Sequence, residues 1–450
     1  MKKLKEQALK QHTGEKTPVW KATLIIIALF IYSGVLSGNP DAGNTSGNRI
    51  SPAKDTLYGD LYRRPRTRLQ MEAPSAGRRF IHRIGTEVRP GFIVRSNPFL
   101  RGENENGQPI KNSLSAHLKY SFQSQPDSYA GRIFGASYQG IGLAYYTFDE
   151  KKQLGDPVVL YIFQGARIAK ISRQLSFNYE WNFGLSAGWH PYDEYENRYN
   201  TIIGSRMNAY INTNFYLEWT LSRRIDLTAG ITLAHFSNGN TRFPNAGLNT
   251  LGFKTGLACN FNREKRSIPA ASFRPPAAGF PRHISYDLVL FGSWRRKGVA
   301  VGEDHFALPE TYKVFGFNFA PMYNLGYRFR AGVSLDGFYD GSANIYARDH
   351  IIGTTPEFST PPLHKQLALG LSGRTEYVMP WFSVNLGLGV NALHSGKDMR
   401  SLYQILALKI EVTRNSFIHI GYSLQNFDTP NFLMLGLGLR FHNKYPAFGR

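Results

Sequence analysis

The sequence predicts an all-β fold, an antiparallel transmembrane β-barrel, from three observations. Apolar and polar residues alternate along many segments after residue 79, as they do in strands that separate two environments. The segments are long, and "WFSVNLGLGVNAL" (381–393) sets five apolar side chains against a face of Ser, Asn and Gly. Membrane-crossing strands need about 9–11 residues, whereas strands of soluble sandwiches average about 5–6. No stretch after the N-terminus has the about 18 consecutive apolar residues of a transmembrane helix, which excludes a membrane protein with several helical spans.

The composition agrees with this class and narrows the partners. The 450 residues are 42% hydrophobic and 14% aromatic, with 44 glycines and a formal net charge of +21. The basic residues are scattered and form no nucleic-acid-binding motif, so we expect no nucleic-acid partner. An acidic surface such as a phosphorylated glycolipid suits this charge better. The single cysteine, Cys259, excludes an intramolecular disulfide and a cysteine-based metal site.

The N-terminal segment predicts export. Residues 20–38, "WKATLIIIALFIYSGVLSG", form a short apolar stretch behind a basic one, so residues 1–38 are interpreted as a signal peptide or an uncleaved signal anchor. Residues 39–78 are polar, basic and without periodicity, which predicts a disordered linker.

Sixteen strands are predicted in two sets of eight, separated by a Pro-rich connector at residues 263–282. The first set occupies residues 79–262, with strands near 80–92, 114–123, 138–149, 157–168, 174–189, 203–220, 225–238 and 248–262. The second occupies residues 283–450, with strands near 283–295, 312–323, 326–340, 365–378, 381–394, 402–414, 416–424 and 431–442. The chain then forms either two tandem eight-stranded barrels or one sixteen-stranded barrel, and the long connector favours two because periplasmic turns are usually short.

A histidine and a serine share one face at the end of the seventh predicted strand. In "LTAGITLAHFS" (227–237), His235 and Ser237 continue the apolar, lipid-facing set. Asn249 lies on the same face of the next strand. If the N-terminus is periplasmic, odd strands run outward and this group lies at the cell surface. Ordinary interfacial residues leading into a turn are the alternative interpretation.

The string "HFSNGNTRFPNAGLN" resembles the signature of the lipid A 3-O-deacylase family, the PagL-type acyloxyacyl hydrolases of the outer membrane. The matching positions are His235, Ser237, Asn238, Pro244, Asn245 and Gly247. The resemblance covers mainly residues 80–262 and implies an eight-stranded barrel with a lipid-facing site.

The resemblance also implies roles for these residues. Ser237 is the nucleophile and His235 its general base. The best-known form of the family has a glutamate where this chain has Asn249, whose oxygen can still accept a hydrogen bond from the imidazole. Asn238, Gly239 and Asn245 are the candidates for stabilising the oxyanion or supporting the site.

The resemblance therefore implies a serine esterase that removes an ester-linked acyl chain from lipid A or lipopolysaccharide in a Gram-negative outer membrane. No cofactor or metal is expected, and self-association into a homo-oligomer is possible. The alternative is a non-catalytic outer-membrane barrel, a channel or a structural protein. The role of the second half is left open.

Overall fold

The computed structural model describes residues 80–126, 128–135, 137–263, 279–301, 304–347, 357–399, 402–427 and 429–445. The predicted signal segment (1–38), the predicted linker (39–78) and most of the connector (263–282) lie outside the described residues. None of the described helices has the length and apolarity needed to cross a membrane.

Eight antiparallel strands form a first closed barrel. They are β1 (Phe80–Ile93), β2 (Asn112–Ser124), β3 (Tyr138–Phe148), β4 (Gly155–Lys170), β5 (Leu175–Trp189), β6 (Met207–Thr220), β7 (Ile225–Ser237) and β8 (Leu248–Phe261). Each strand pairs with the next, and β1 pairs with β8 to close the barrel. Three short helices lie in its loops: α1 (Pro98–Arg101), α2 (Tyr129–Phe134) and α3 (Lys151–Leu154).

The second half closes into a barrel of its own. Its wall consists of β9 (His283–Arg295), β12 (Tyr312–Asn324), β13 (Phe329–Asp340), β16 (Leu367–Val378), β17 (Phe382–His394), β18 (Leu402–Glu411), β19 (Ser416–Gln425) and β20 (Thr429–Phe441), and β20 returns to pair with β9. Two loop hairpins, β10 (Gly298–Val301) with β11 (Asp304–Ala307) and β14 (Tyr346–Ala347) with β15 (Phe358–Ser359), and a 3-10 turn at Leu363–Lys365 complete the elements. The prediction of tandem barrels is confirmed, and the single sixteen-stranded barrel is excluded.

Both barrels are apolar outside and charged inside. Large apolar side chains on the outer walls, such as Leu160, Phe253, Leu290 and Leu437, are more than half exposed. Ion pairs fill the interiors instead. In the first barrel Lys119 Nζ lies 2.6 Å from Glu180 and 2.9 Å from Glu87, and Lys254 Nζ lies 3.0 Å from Glu87. In the second barrel, Asp287 and Glu376 pair with Arg330, Lys409 and Arg440. Such a distribution suits a barrel surrounded by lipid.

The loops assign the two ends of the barrels. At one end, the loops of the first barrel span 94–111, 149–154, 190–206 and 238–247, whereas two of the three connections at the other end are the four-residue turns 171–174 and 221–224. The second barrel shows the same asymmetry, with a loop at 341–366 opposite turns at 325–328 and 379–381. Outer-membrane barrels have long extracellular loops and short periplasmic turns. The end of β7 that carries His235 is therefore the extracellular end.

Candidate active site

The end of strand β7 is fixed by the inward side chain that separates His235 from Ser237. Phe236 is fully buried in the barrel interior, and its ring centroid lies 5.0 Å from Trp189, 5.1 Å from Tyr146 and 5.2 Å from Tyr210. Because side chains alternate along a strand, this anchor directs both neighbours to the outer wall. Both neighbours are half-buried there.

A chain of hydrogen bonds joins three side chains on that wall. His235 lies directly opposite Asn249 in the β7–β8 ladder. The His235 Nδ1–H donates to Asn249 Oδ1 at 2.7 Å, and the Ser237 hydroxyl donates to His235 Nε2 at 2.9 Å. The Nδ1 bond fixes the tautomer that leaves Nε2 free to accept a proton. The arrangement is that of a nucleophile, a general base and an orienting group.

A glycine makes room for the imidazole ring. Gly247 has φ +74°, and a Cβ added there would lie 2.9 Å from His235 Cε1 and 3.0 Å from the Phe236 carbonyl oxygen. Its N–H donates to the Ile202 carbonyl at 3.2 Å, which holds the loop beside the ring. No residue with a side chain fits this position without displacing His235 or the backbone.

The loop between β7 and β8 is held by its own asparagines. The Asn238 N–H donates to Asn245 Oδ1 at 2.8 Å, and Asn238 Nδ2 donates to the Arg242 carbonyl at 2.7 Å. Asn245 Nδ2 donates in turn to Asn240 Oδ1 at 3.1 Å. Asn238 and Asn245 thus brace the loop. Among the described residues, none accepts a hydrogen bond from the Gly239 N–H, which follows Ser237 by two positions.

The structure brings together all six residues singled out from the sequence, His235, Ser237, Asn249, Asn238, Gly239 and Asn245. Sequence reasoning missed the roles of Phe236 and Gly247 in setting the histidine's position. The alternation in "AHFS" could have predicted that Phe236 points into the barrel. The Pro-Asn-x-Gly string could have predicted a special backbone position at Gly247. Over the described ranges no group of three His, Cys, Asp or Glu side chains is arranged to hold a metal.

Two family models match the chain, one on each barrel. The model described as "Lipid A 3-O-deacylase (PagL)" matches residues 115–258, and the one described as "Acyloxyacyl hydrolase, C-terminal domain" matches residues 284–443. No curated protein matches the chain.

Two solved structures are similar to part of the chain at low sequence identity. The crystal structure of the outer membrane enzyme PagL is 12% identical, with 38% of this chain and 97% of that chain covered, at a TM-score of 0.26. The crystal structure of Neisserial surface protein A is 8% identical, with 40% of this chain and 97% of that chain covered, also at 0.26. The assignment of the chain to a protein family rests on the two family models and not on these structures.

Proposed function

Because the chain belongs to the lipid A 3-O-deacylase (PagL) family, we propose that it is a serine esterase that removes an ester-linked acyl chain from lipid A or lipopolysaccharide. The observation that carries this proposal is the hydrogen-bond chain Ser237–His235–Asn249 on the outer wall of the first barrel. A serine hydroxyl is a weak nucleophile until a base takes its proton. A base on the outer wall of a barrel, outside its filled interior, can reach a substrate that is itself a lipid.

The acylation step uses the tautomer that Asn249 fixes. Ser237 Oγ attacks the ester carbonyl carbon while His235 Nε2 takes the hydroxyl proton. The tetrahedral intermediate collapses, the C–O bond to the sugar breaks, and the imidazolium returns the proton to the departing sugar oxygen. Water then attacks the acyl-serine with His235 again as base, which releases the fatty acid and restores Ser237. Asn249 orients the ring but carries no charge to stabilise the imidazolium.

The negative oxygen of the intermediate needs hydrogen-bond donors. Gly239 supplies the best candidate, since its N–H follows Ser237 by two positions and has no acceptor among the described residues. The Asn238 N–H and both asparagine side chains are engaged in bracing the loop. We therefore assign Asn238 and Asn245 to support and Gly239 to the oxyanion.

The protein is located in the outer membrane of a Gram-negative bacterium, where lipid A forms the outer leaflet. The apolar outer walls of both barrels fit this location. The extracellular end of β7 lies near the headgroup boundary, where polar groups on a lipid-facing wall are less costly than at mid-bilayer.

The alternative function, a channel, is poorly supported because side chains fill the interiors of both barrels. An eight-stranded barrel is just wide enough for side chains to fill it. The cavity beside Glu87, Lys119 and Glu180 in the first barrel measures about 20 Å³. In the second barrel Arg330 and Glu376 are almost fully buried.

Labelling with a fluorophosphonate, which reacts with activated serine hydroxyls, tests the proposal on the purified full chain. We expect one adduct, located on Ser237 by peptide mass spectrometry, and its loss in Ser237→Ala and His235→Ala. Ser205→Ala is the matched control, because this hydroxyl lies close to the site but bonds to the Met207 carbonyl instead of a histidine. An unlabelled Ser237 in a folded barrel would contradict the assignment.

A further inference from the structure

The two barrels leave a half-open cavity between their outer walls. They touch where the Trp181 ring meets Phe382 edge to face, with centroids 5.6 Å apart. Phe183 and Ile162 of the first barrel pack in the same cluster, with Met379 and Leu408 of the second. Beside this contact the walls leave about 1300 Å³ of open volume. Pockets for one small ligand are typically about 300–1,000 Å³, so this space has room for a larger, extended group.

The candidate active site opens into this cavity. Its lining includes His235, Ser237 and Asn249. Apolar side chains of both barrels form the rest of the wall near the site, among them Leu185, Ile211 and Leu233 of the first barrel and Leu386, Leu406 and Ile420 of the second. The nucleophile thus faces the outer wall of the second barrel.

The second barrel also contacts the loop that follows the nucleophile. A Cβ on Gly239 would lie 3.5 Å from the Tyr422 ring and 3.6 Å from Leu433 Cβ, so the loop backbone lies against β19 and β20. Asn240 Nδ2 donates to the Asn431 carbonyl at 3.2 Å. One end of the cavity is therefore bounded by the loop that contributes Gly239.

Three arginines line the same cavity at the extracellular end of the barrels. Arg206 precedes β6, Arg242 lies in the β7–β8 loop and Arg296 follows β9. Arg296 Nε donates to the Leu308 carbonyl at 2.7 Å. In the described part of the chain Arg206 and Arg296 form no ion pair with a carboxylate, and Arg242 interacts with the Asp193 carboxylate only at longer range. Guanidinium groups bind phosphate oxygens through paired hydrogen bonds.

We propose that this inter-barrel cavity is the acyl-chain site for lipid A, with the second barrel as its opposite wall and Arg206, Arg242 and Arg296 as the phosphate contacts. The assignment rests on the proposed function, since it takes the ester at Ser237 as the bond to be cut. It gives the second half a role in substrate binding. The lipid is identified by its chemistry, several acyl chains beneath a phosphorylated headgroup.

The physical contribution of such a cavity is orientation. An acyl chain gains little by moving from lipid tails to leucine side chains, because both are equally apolar. A fixed wall on each side instead limits how the chain lies, which holds the ester carbonyl near Ser237 Oγ. The cavity therefore selects chain length and position, and the arginines supply attraction for the headgroup.

Narrowing the cavity on the second barrel tests this directly in the full-length protein. Leu406→Trp places a large side chain in the cavity, between the β17 and β19 neighbours of Leu406. Leu290→Trp is the matched control, because Leu290 is 62% exposed on the outer wall of β9 and does not line the cavity. Hydrolysis is measured on lipid A and on p-nitrophenyl acetate, whose acyl group is too short to need the cavity.

We expect Leu406→Trp to lower kcat/KM for lipid A at least about tenfold more than it lowers kcat/KM for p-nitrophenyl acetate. Leu290→Trp should leave both substrates near wild type. Equal lipid A rates for the two tryptophan variants would overturn the proposal.

Binding is measured separately from turnover in a Ser237→Ala background, by the lipid A that remains with the purified protein. Replacing the three arginines with Gln should reduce retention of bisphosphorylated lipid A at least about tenfold and leave dephosphorylated lipid A unchanged. If the wild-type protein retains lipid A but cleaves no ester, the proposed esterase function is refuted. The proposal that the cavity binds lipid A is then supported. Retention of phospholipid in place of lipid A, or equal retention by Leu406→Trp, would refute the cavity assignment.

Discussion

Gly247→Ala perturbs the histidine without removing any polar group. The new Cβ would lie 2.9 Å from His235 Cε1, whereas ordinary contact begins at 3.4 Å. The ring or the loop must therefore retreat by 0.5 Å, the difference between these two distances. That movement stretches the 2.9 Å bond between Ser237 and His235.

The expected loss of kcat follows from the size of this displacement. A misplacement of about 1 Å can cost about 100-fold in rate, so half of that distance gives a fall in kcat of about tenfold. The substitution also puts a Cβ on a residue at φ +74°, which costs roughly 1–2 kcal/mol of stability. KM should change little because the acyl chain and headgroup contacts are intact.

The matched control is Gly107→Ala, at φ +64° in an extracellular loop with nothing within 4 Å of the new Cβ. It carries the same backbone strain without the contact to the histidine. Esterase kinetics with p-nitrophenyl acetate and urea unfolding in detergent are measured for both variants. Both should lose similar stability, and only Gly247→Ala should lose activity. Equal kcat values for the two variants would refute the claim that Gly247 makes room for His235.

Three further predictions concern the orienting residue and the barrel interiors. Asn249→Ala should lower kcat at least about tenfold, and Asn249→Asp should raise it about tenfold because a carboxylate stabilises the imidazolium; steady-state kinetics would decide, and unchanged rates in both would remove Asn249 from the mechanism. Lys119→Met removes the cation 2.6 Å from the buried Glu180 and leaves only Arg89, at 3.9 Å, so unfolding should cost about 3 kcal/mol less, whereas Lys152→Met at the exposed pair with Glu105 should leave the urea midpoint near that of the wild type; similar urea midpoints for the two variants would contradict this difference. In planar bilayers the wild type should pass no channel current, and steady open-channel conductance would favour the channel alternative.

The strands could be predicted from the sequence because each one separates lipid from a polar interior. Apolar and polar residues therefore alternate along such a strand, as in β17, where every second residue from Phe382 to Ala392 is apolar. The two hairpins in the loops were missed, since strands of two to four residues are too short to show a pattern. Closure into two barrels depends on the pairing of β1 with β8 and β9 with β20, which no local pattern records.

The site could be predicted in part for the same reason. Alternation places His235 and Ser237 on one face, and the neighbouring strand supplies Asn249 on that face. The register that sets His235 opposite Asn249 depends on the loop conformation, which includes the positive φ of Gly247. The hydrogen bond from the Asn238 N–H to Asn245, and the contact of Gly239 with the second barrel, are tertiary features without a sequence signal.

Mass spectrometry of lipid A from cells that express the wild type or Ser237→Ala tests the central claim most directly. The account predicts a lipid A species lighter by one acyl chain with the wild type and an unmodified lipid A with Ser237→Ala, both barrels being folded in the outer membrane. The mass lost identifies the chain that is removed. Identical spectra from the two strains, with equal amounts of folded protein, would contradict the assignment of this chain as a lipid A esterase that acts through Ser237.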